Sequence, residues 1–115
     1  MHYEFTDEKV DGLTRIRATI DMPNFGVKAG DLGGFIESAE NLQDTAWVGC
    51  EALVFGNALV SGHALVSERA RVFEHARVYG NAQVFGNSLV YEHAQVSGNS
   101  LVSGNSLVCG NARVF

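Results

Sequence analysis

From Ala46 to Phe115 the chain reads AWVGCE, ALVFGN, ALVSGH, ALVSER, ARVFEH, ARVYGN, AQVFGN, SLVYEH, AQVSGN, SLVSGN, SLVCGN and ARVF. Each unit is a small residue, a variable one, Val, another variable one, then most often Gly or Glu, then a polar residue, most often Asn. Val falls at 48, 54, 60, 66, 72, 78, 84, 90, 96, 102, 108 and 114, without insertion or deletion. Within a unit, the small residue and Val alternate with variable residues, which is the period of a strand. Val suits a pleated surface. Gly and Asn tolerate the left-handed backbone conformation of a tight corner. A strand this short cannot bury its own Val. Stacking the units into a coil can, so the repeat predicts an all-β parallel β-helix.

A longer period fixes the number of sides. Phe55, Phe73 and Tyr91 are 18 residues apart, as are Phe73-Glu74-His75-Ala76 and Tyr91-Glu92-His93-Ala94. Glu51 and Arg69, of opposite charge, and Asn87 and Asn105 repeat the spacing. Three units per turn would place all of these in vertical columns at the strand spacing of about 4.8 Å. The expected body is therefore a triangular prism of roughly four and a half coils.

Working upstream, Leu42 and Ile36 hold the Val phase, giving fourteen aliphatic positions from 36 to 114. Gly34 fits the small slot and Glu40 does not, so the first coil is expected to be irregular. Residues 1–33 lack the repeat and read as a β cap on residues 34–115. Tyr3-Glu4-Phe5 and Arg15 to Ile20 alternate like strands, with Asp7-Glu8-Lys9 and Asp11-Gly12 turning between them. Met22 to Gly26 breaks the second strand. Arg15 and Arg17 are expected on one solvated strand face, with an anion or partner contact as the alternative.

Composition narrows the function classes. At 115 residues the chain fits one structural domain. Thirteen acidic and eight basic residues give a net charge of -5, which argues against a nucleic-acid surface. No apolar run approaches the roughly 20 residues of a membrane helix, and no secretory leader pattern opens the chain. Cys50 and Cys109 fall on different coils, too far apart to bridge. These points suggest a cytoplasmic protein with two free thiols and no membrane contact.

The V-x-G-N-A-x phrase over residues 34 to 115 resembles the hexapeptide repeat of left-handed β-helix proteins, best known from acyltransferases. Left-handedness is what the resemblance implies, since parallel crossovers are otherwise right-handed. The opening, Lys28 to Glu37 with Glu40-Asn41-Leu42, also resembles small hexapeptide-repeat proteins of phages and prophages. The acyltransferase resemblance implies an acetyl-coenzyme A-dependent enzyme with a His base, and His63, His75 and His93 are the repeat-region candidates. The resembled enzymes use protruding loops to build the acceptor site, and the unbroken repeat offers none.

Three surface features compete as the working part. One face has Phe35, Leu53, Phe55, Phe73, Leu89, Tyr91 and Leu107 pointing outward, an apolar ladder of the kind that marks interfaces. A ladder that merely stabilises the sheet is the alternative. His75 and His93, with Glu74 and Glu92, would stack at one corner; duplication of a polar corner is the preferred reading, with a metal site as the alternative. The last coil reads as an unprotected edge. It would be covered by a second copy, tolerated, or continued in a longer β-helix. A two-fold dimer through Leu107, Cys109, Arg113 and Phe115 is expected, with a side-by-side trimer as the acyltransferase-like alternative. The expected function is a non-enzymatic binding or assembly module. The phage-type resemblance extends this to an inhibitor of a host defence protein, acting as an acidic decoy in a bacterial cytoplasm, with a protein partner and no cofactor. The acyltransferase is the second reading and end-to-end structural assembly the third.

Overall fold

The computed structural model describes residues 2–115. The repeat forms three parallel sheets wrapped around one core. One contains β4 (Trp47–Val48), β7 (Leu65–Val66), β10 (Gln83–Val84) and β13 (Leu101–Val102). A second contains β6 (Leu59–Val60), β9 (Arg77–Val78), β12 (Gln95–Val96) and β15 (Arg113–Val114). The third carries β5 (Leu53–Val54), β8 (Arg71–Val72), β11 (Leu89–Val90) and β14 (Leu107–Val108). It is extended at its first edge by β3 (Leu32–Ile36), β2 (Leu13–Ala18) and β1 (Tyr3–Val10), giving seven strands. Val54 pairs with Val72 and Val72 with Val90, so one turn is 18 residues and three units, as the double period requires.

The core is the Val series. Val48, Val54, Val60, Val66, Val72, Val78, Val84, Val90 and Val96 are fully buried, each stabilising the coil by roughly 1.5–3 kcal/mol. Ile36 and Leu42 join them, and Leu42 bridges to Val60 in parallel. The small slot lies inside the bend, where Ala52, Ala64, Ala70, Ala76 and Ala82 have no exposed surface. Ser substitutes there because its hydroxyl turns back to the carbonyl three residues earlier. Ser88 Oγ donates to Phe85 O at 2.6 Å, Ser106 Oγ to Ser103 O at 2.6 Å, and Ser100 Oγ to Ser97 O. A buried hydroxyl so satisfied carries little penalty.

The corners explain the interchange of Gly with Glu. The fifth position of the repeat adopts positive φ throughout, from Gly56 and Gly86 to Glu68, Glu74 and Glu92. At Gly86 (φ +75) a Cβ would sit 2.7 Å from Gly104 N in the coil above. An acidic residue offsets its own strain by accepting a hydrogen bond from that next coil. The Gly86 amide donates to Glu68 Oε1 at 2.9 Å, and the Gly110 amide to Glu92 Oε1 at 3.0 Å. Asp44 accepts from Gly62 N in the same way at 2.9 Å.

The first end is built differently. β1 and β2 form an antiparallel hairpin turned at Asp11-Gly12, and Asp7 to Lys9 lie within β1 instead of forming a turn. β3 is antiparallel to β2 and parallel to β5, so it joins hairpin to coil. The misfit at Glu40 is a 3-10 turn, Ala39–Asn41. Its Asn41 is buried and donates to Gly56 O and Ala58 O, at 3.2 and 2.8 Å. Arg15 departs from expectation. It is not solvated: its side chain is 11% exposed and lies 4.5 Å over the Phe35 ring. It donates to Gly33 O at 3.0 Å and to both oxygens of Glu51 at 3.0 and 3.1 Å. Glu8 Oε1 lies 3.2 Å from Arg15 Nε but off the N–H direction, an ion pair without a hydrogen bond. Glu51 is thus taken by Arg15 and forms no ion pair with Arg69. Arg17 pairs with Glu4.

Candidate functional site

The sheet of β5, β8, β11 and β14 presents two columns outward. The first is Leu53, Arg71, Leu89 and Leu107, and pairing places each directly over the last. The second is Phe55, Phe73, Tyr91 and Cys109. Phe55 and Phe73 stack with centroids 5.1 Å apart and planes within 3°, and Phe73 and Tyr91 repeat the geometry. Rings so aligned lie along the prism axis and turn their edges outward. Leu53, Phe55, Phe73, Leu89, Tyr91 and Cys109 are half-buried, and Leu107 is exposed. The result is a flat, rigid strip of apolar side chains.

Phe35 does not belong to that strip. It continues the Leu53 column by register, yet Arg15 and the hairpin bury it. Trp47 is also hidden. Its place in the repeat points it outward, but the chain ahead of the first coil folds over it, leaving 2% exposed. The signal was Gly33-Gly34. A Cβ at Gly33 would come within 2.6 Å of the Trp47 ring, and only a bare backbone can lie so close.

At the top of the aromatic column the Tyr91 hydroxyl faces Cys109. The neighbouring Cys109, then burial, then the Glu92 and Glu74 carboxylates raise its pKa above the ordinary tyrosine value. The thiols stay separate: Cys50 is exposed at a corner and Cys109 half-buried on the face, both free.

The histidines do not converge on a catalytic arrangement. His75 and His93 stack at 5.0 Å with planes within 6°, as the 18-residue spacing predicts. Their lone pairs lie in the parallel ring planes and do not meet at one point. The neighbouring Glu92 carboxylate already accepts the Gly110 amide. Among the described residues no group of three or more His, Cys, Asp or Glu could hold a metal ion. His63 is on another corner, where its Nδ1 lies 2.6 Å from Thr45 Oγ1. Sequence reasoning missed this pair because Thr45 lies in the irregular first coil, although its separation from His63 is also 18 residues.

The self-association residues lie in the last coil. Leu107 is 62% and Phe115 89% exposed, Arg113 is exposed, and Leu101 beside them is 64% exposed. No helix among the described residues is long and apolar enough to cross a membrane.

Parallel coils, three sheets and an 18-residue turn define a β-solenoid of the hexapeptide-repeat type. Residues 76–92 and 94–110 each match the family described as the YdcK beta solenoid repeat. Those two stretches are successive turns, offset by 18 residues, so the family unit and the geometric turn coincide. No curated protein matches the chain.

Proposed function

We propose that this chain is a non-enzymatic protein-binding module whose contact surface is the face of β5, β8, β11 and β14. The observation that carries the reading is the aromatic column Phe55–Phe73–Tyr91 beside Leu53 and Leu89, held at fixed spacing on a flat sheet. Aromatic side chains already ordered by stacking lose little freedom on contact, which suits them to interface anchors. The other two faces interrupt their apolar residues with Ser67, Gln83, Ser61, Gln95 and Ser97. The resemblance to phage-type repeat proteins supports a narrower form, a small inhibitor that obstructs a bacterial defence protein.

A photo-crosslinking amino acid tests the reading when placed at Phe73 and, as control, at Ser97 on the neighbouring face, in bacteria expressing the full chain. The expected result is a discrete protein adduct from position 73 and none from 97. No adduct at 73, or equal labelling at both, would overturn it. Calorimetry with coenzyme A and acetyl-coenzyme A addresses the acyltransferase alternative. No heat of binding is expected, and micromolar binding lost in His63→Ala, His75→Ala or His93→Ala would replace the proposal with an enzyme.

A further inference from the structure

One charge interrupts the apolar strip. Between Leu53 and Cys109, Arg71 is the only ionisable side chain in the two columns apart from the Tyr91 hydroxyl and the Cys109 thiol. It is exposed and makes no hydrogen bond or ion pair with any described residue. Its neighbours along the column are Leu53 and Leu89, and Phe73 follows two residues on. Below it a shallow groove of about 230 Å³ is lined by Asp11, Leu13, Leu53, Phe55 and Arg71. Asp11 shares that groove but forms no ion pair with the arginine.

Three strands along the same sheet the chain shows what such an arginine takes as a partner. Arg15, over Phe35, is held by a bidentate Glu51 with Glu8 beside it. Arg71 is more exposed, sits between Leu53 and Leu89, and has no carboxylate partner. A partner that covered the strip without supplying an anion would strip water from the guanidinium and leave it unpaired.

A second copy does not supply that anion from the same face. In a face-to-face two-fold pairing, the columns offer Arg71 only leucines, rings, a thiol or another Arg71. Nor does the net charge of -5 repel an acidic partner here. Residues 52–115 hold four arginines against three glutamates, and the acidic excess lies in residues 1–51.

We infer that this face takes a segment of another protein carrying an aspartate or glutamate flanked by apolar residues, the carboxylate on Arg71 and the apolar side chains on Leu53, Phe73 and Leu89. The inference rests on the protein-binding reading above and adds the chemistry of the partner. A planar guanidinium flanked by apolar side chains suits bidentate recognition of a carboxylate.

The test uses random 12-residue peptides displayed on phage and selected on the immobilised full chain, with the best sequence remade synthetically. Selected peptides should share one Asp or Glu next to Leu, Ile or Phe. The synthetic peptide should lose roughly tenfold or more in affinity on Arg71→Gln, and equally when its own acid becomes the amide. Selection on Arg71→Glu should replace the acid with Lys or Arg. Arg71 is exposed, so both variants should keep the parent's circular dichroism and melting temperature. Peptides that need Phe73 and Leu89 but show no acid, or bind Arg71→Gln unchanged, would overturn the inference and leave the protein-binding reading standing. Recovery of no peptide, or only of peptides indifferent to Phe73→Ser and Leu89→Ser, would remove both. A dimer that dissociates on Phe73→Ser would put a second copy on the face and overturn the inference as well.

Discussion

The hairpin end and the coil are stabilised by different means. In the coil every turn repeats the same contact: a buried Val, a small residue inside the bend, and an amide donated to the next turn. At the hairpin end few contacts recur. Arg15 ties together β1, β2, the β3 backbone and the first coil through one side chain, and Asn41 alone caps the irregular corner. The coil spreads its stability over many equal positions, whereas the cap concentrates it in a few. A single change should therefore propagate differently in the two regions.

The sharpest break should come from Val78→Asp. Val78 is fully buried between β6 and β12, and a carboxylate there has no partner. We expect a loss above about 4 kcal/mol and collapse of the middle turns. A cooperative melt within a few degrees of the parent would refute the buried-ladder account. Arg15→Ala comes next, with a loss of about 3 kcal/mol, since it removes the charged hydrogen bond to Gly33 O and uncovers Phe35. Hydrogen exchange should quicken in β1 to β3 while β9 to β12 keep their protection; uniform quickening would show that cap and coil are one cooperative unit.

Two glycines at equivalent corners sharpen the comparison within the coil itself. Gly86→Ala adds a Cβ 2.7 Å from the amide of the turn above, whereas Gly104→Ala meets nothing within 4 Å. Both pay for positive φ, about 1 kcal/mol, and Gly86→Ala should cost about 1–2 kcal/mol more. Equal urea midpoints for the two would mean that the turns adjust to admit the Cβ. The smallest effect on stability belongs to Phe115→Glu, near zero because the ring is 89% exposed. If the last coil self-associates through Leu107, Cys109, Arg113 and Phe115, this change moves the mass by light scattering from dimer to monomer. An unmodified chain that is monomeric at tens of micromolar rules that dimer out.

How much could be read in advance follows the same division. The repeat announced its own geometry, because Val every 6 residues and Phe55, Phe73 and Tyr91 every 18 leave one way to stack. The apolar columns were legible for the same reason, as was the His75–His93 stack. The places where reading failed are those where the hairpin end touches the prism. Phe35 and Trp47 occupy outward positions of the repeat and are nevertheless buried, because non-repeating chain lies over them. Arg15 looked like a solvated strand residue because its partners, Gly33 and Glu51, are distant in sequence. Column spacing places Glu51 and Arg69 at one corner but does not show that Arg15, arriving from outside the coil, takes the carboxylate. Arg71 falls on the same outward column by spacing, but its lack of a partner needed coordinates.

The uniform hydrogen-bond step of the coil has a kinetic consequence. Leu53 donates to Ala70, Leu65 to Ala82 and Arg77 to Ala94, always 17 residues ahead. Each added turn therefore closes a loop of the same length and meets the same entropic barrier, about 2.5 kcal/mol from the logarithmic term alone. After the first turn has formed, growth is a sequence of equal steps, and the slow event is making that first turn. Folding should run as a front that starts at one nucleus and advances turn by turn. Pulse-labelling hydrogen exchange during refolding would record it as protection arriving in order along β5, β8, β11 and β14. Simultaneous protection in all four strands would exclude a travelling front.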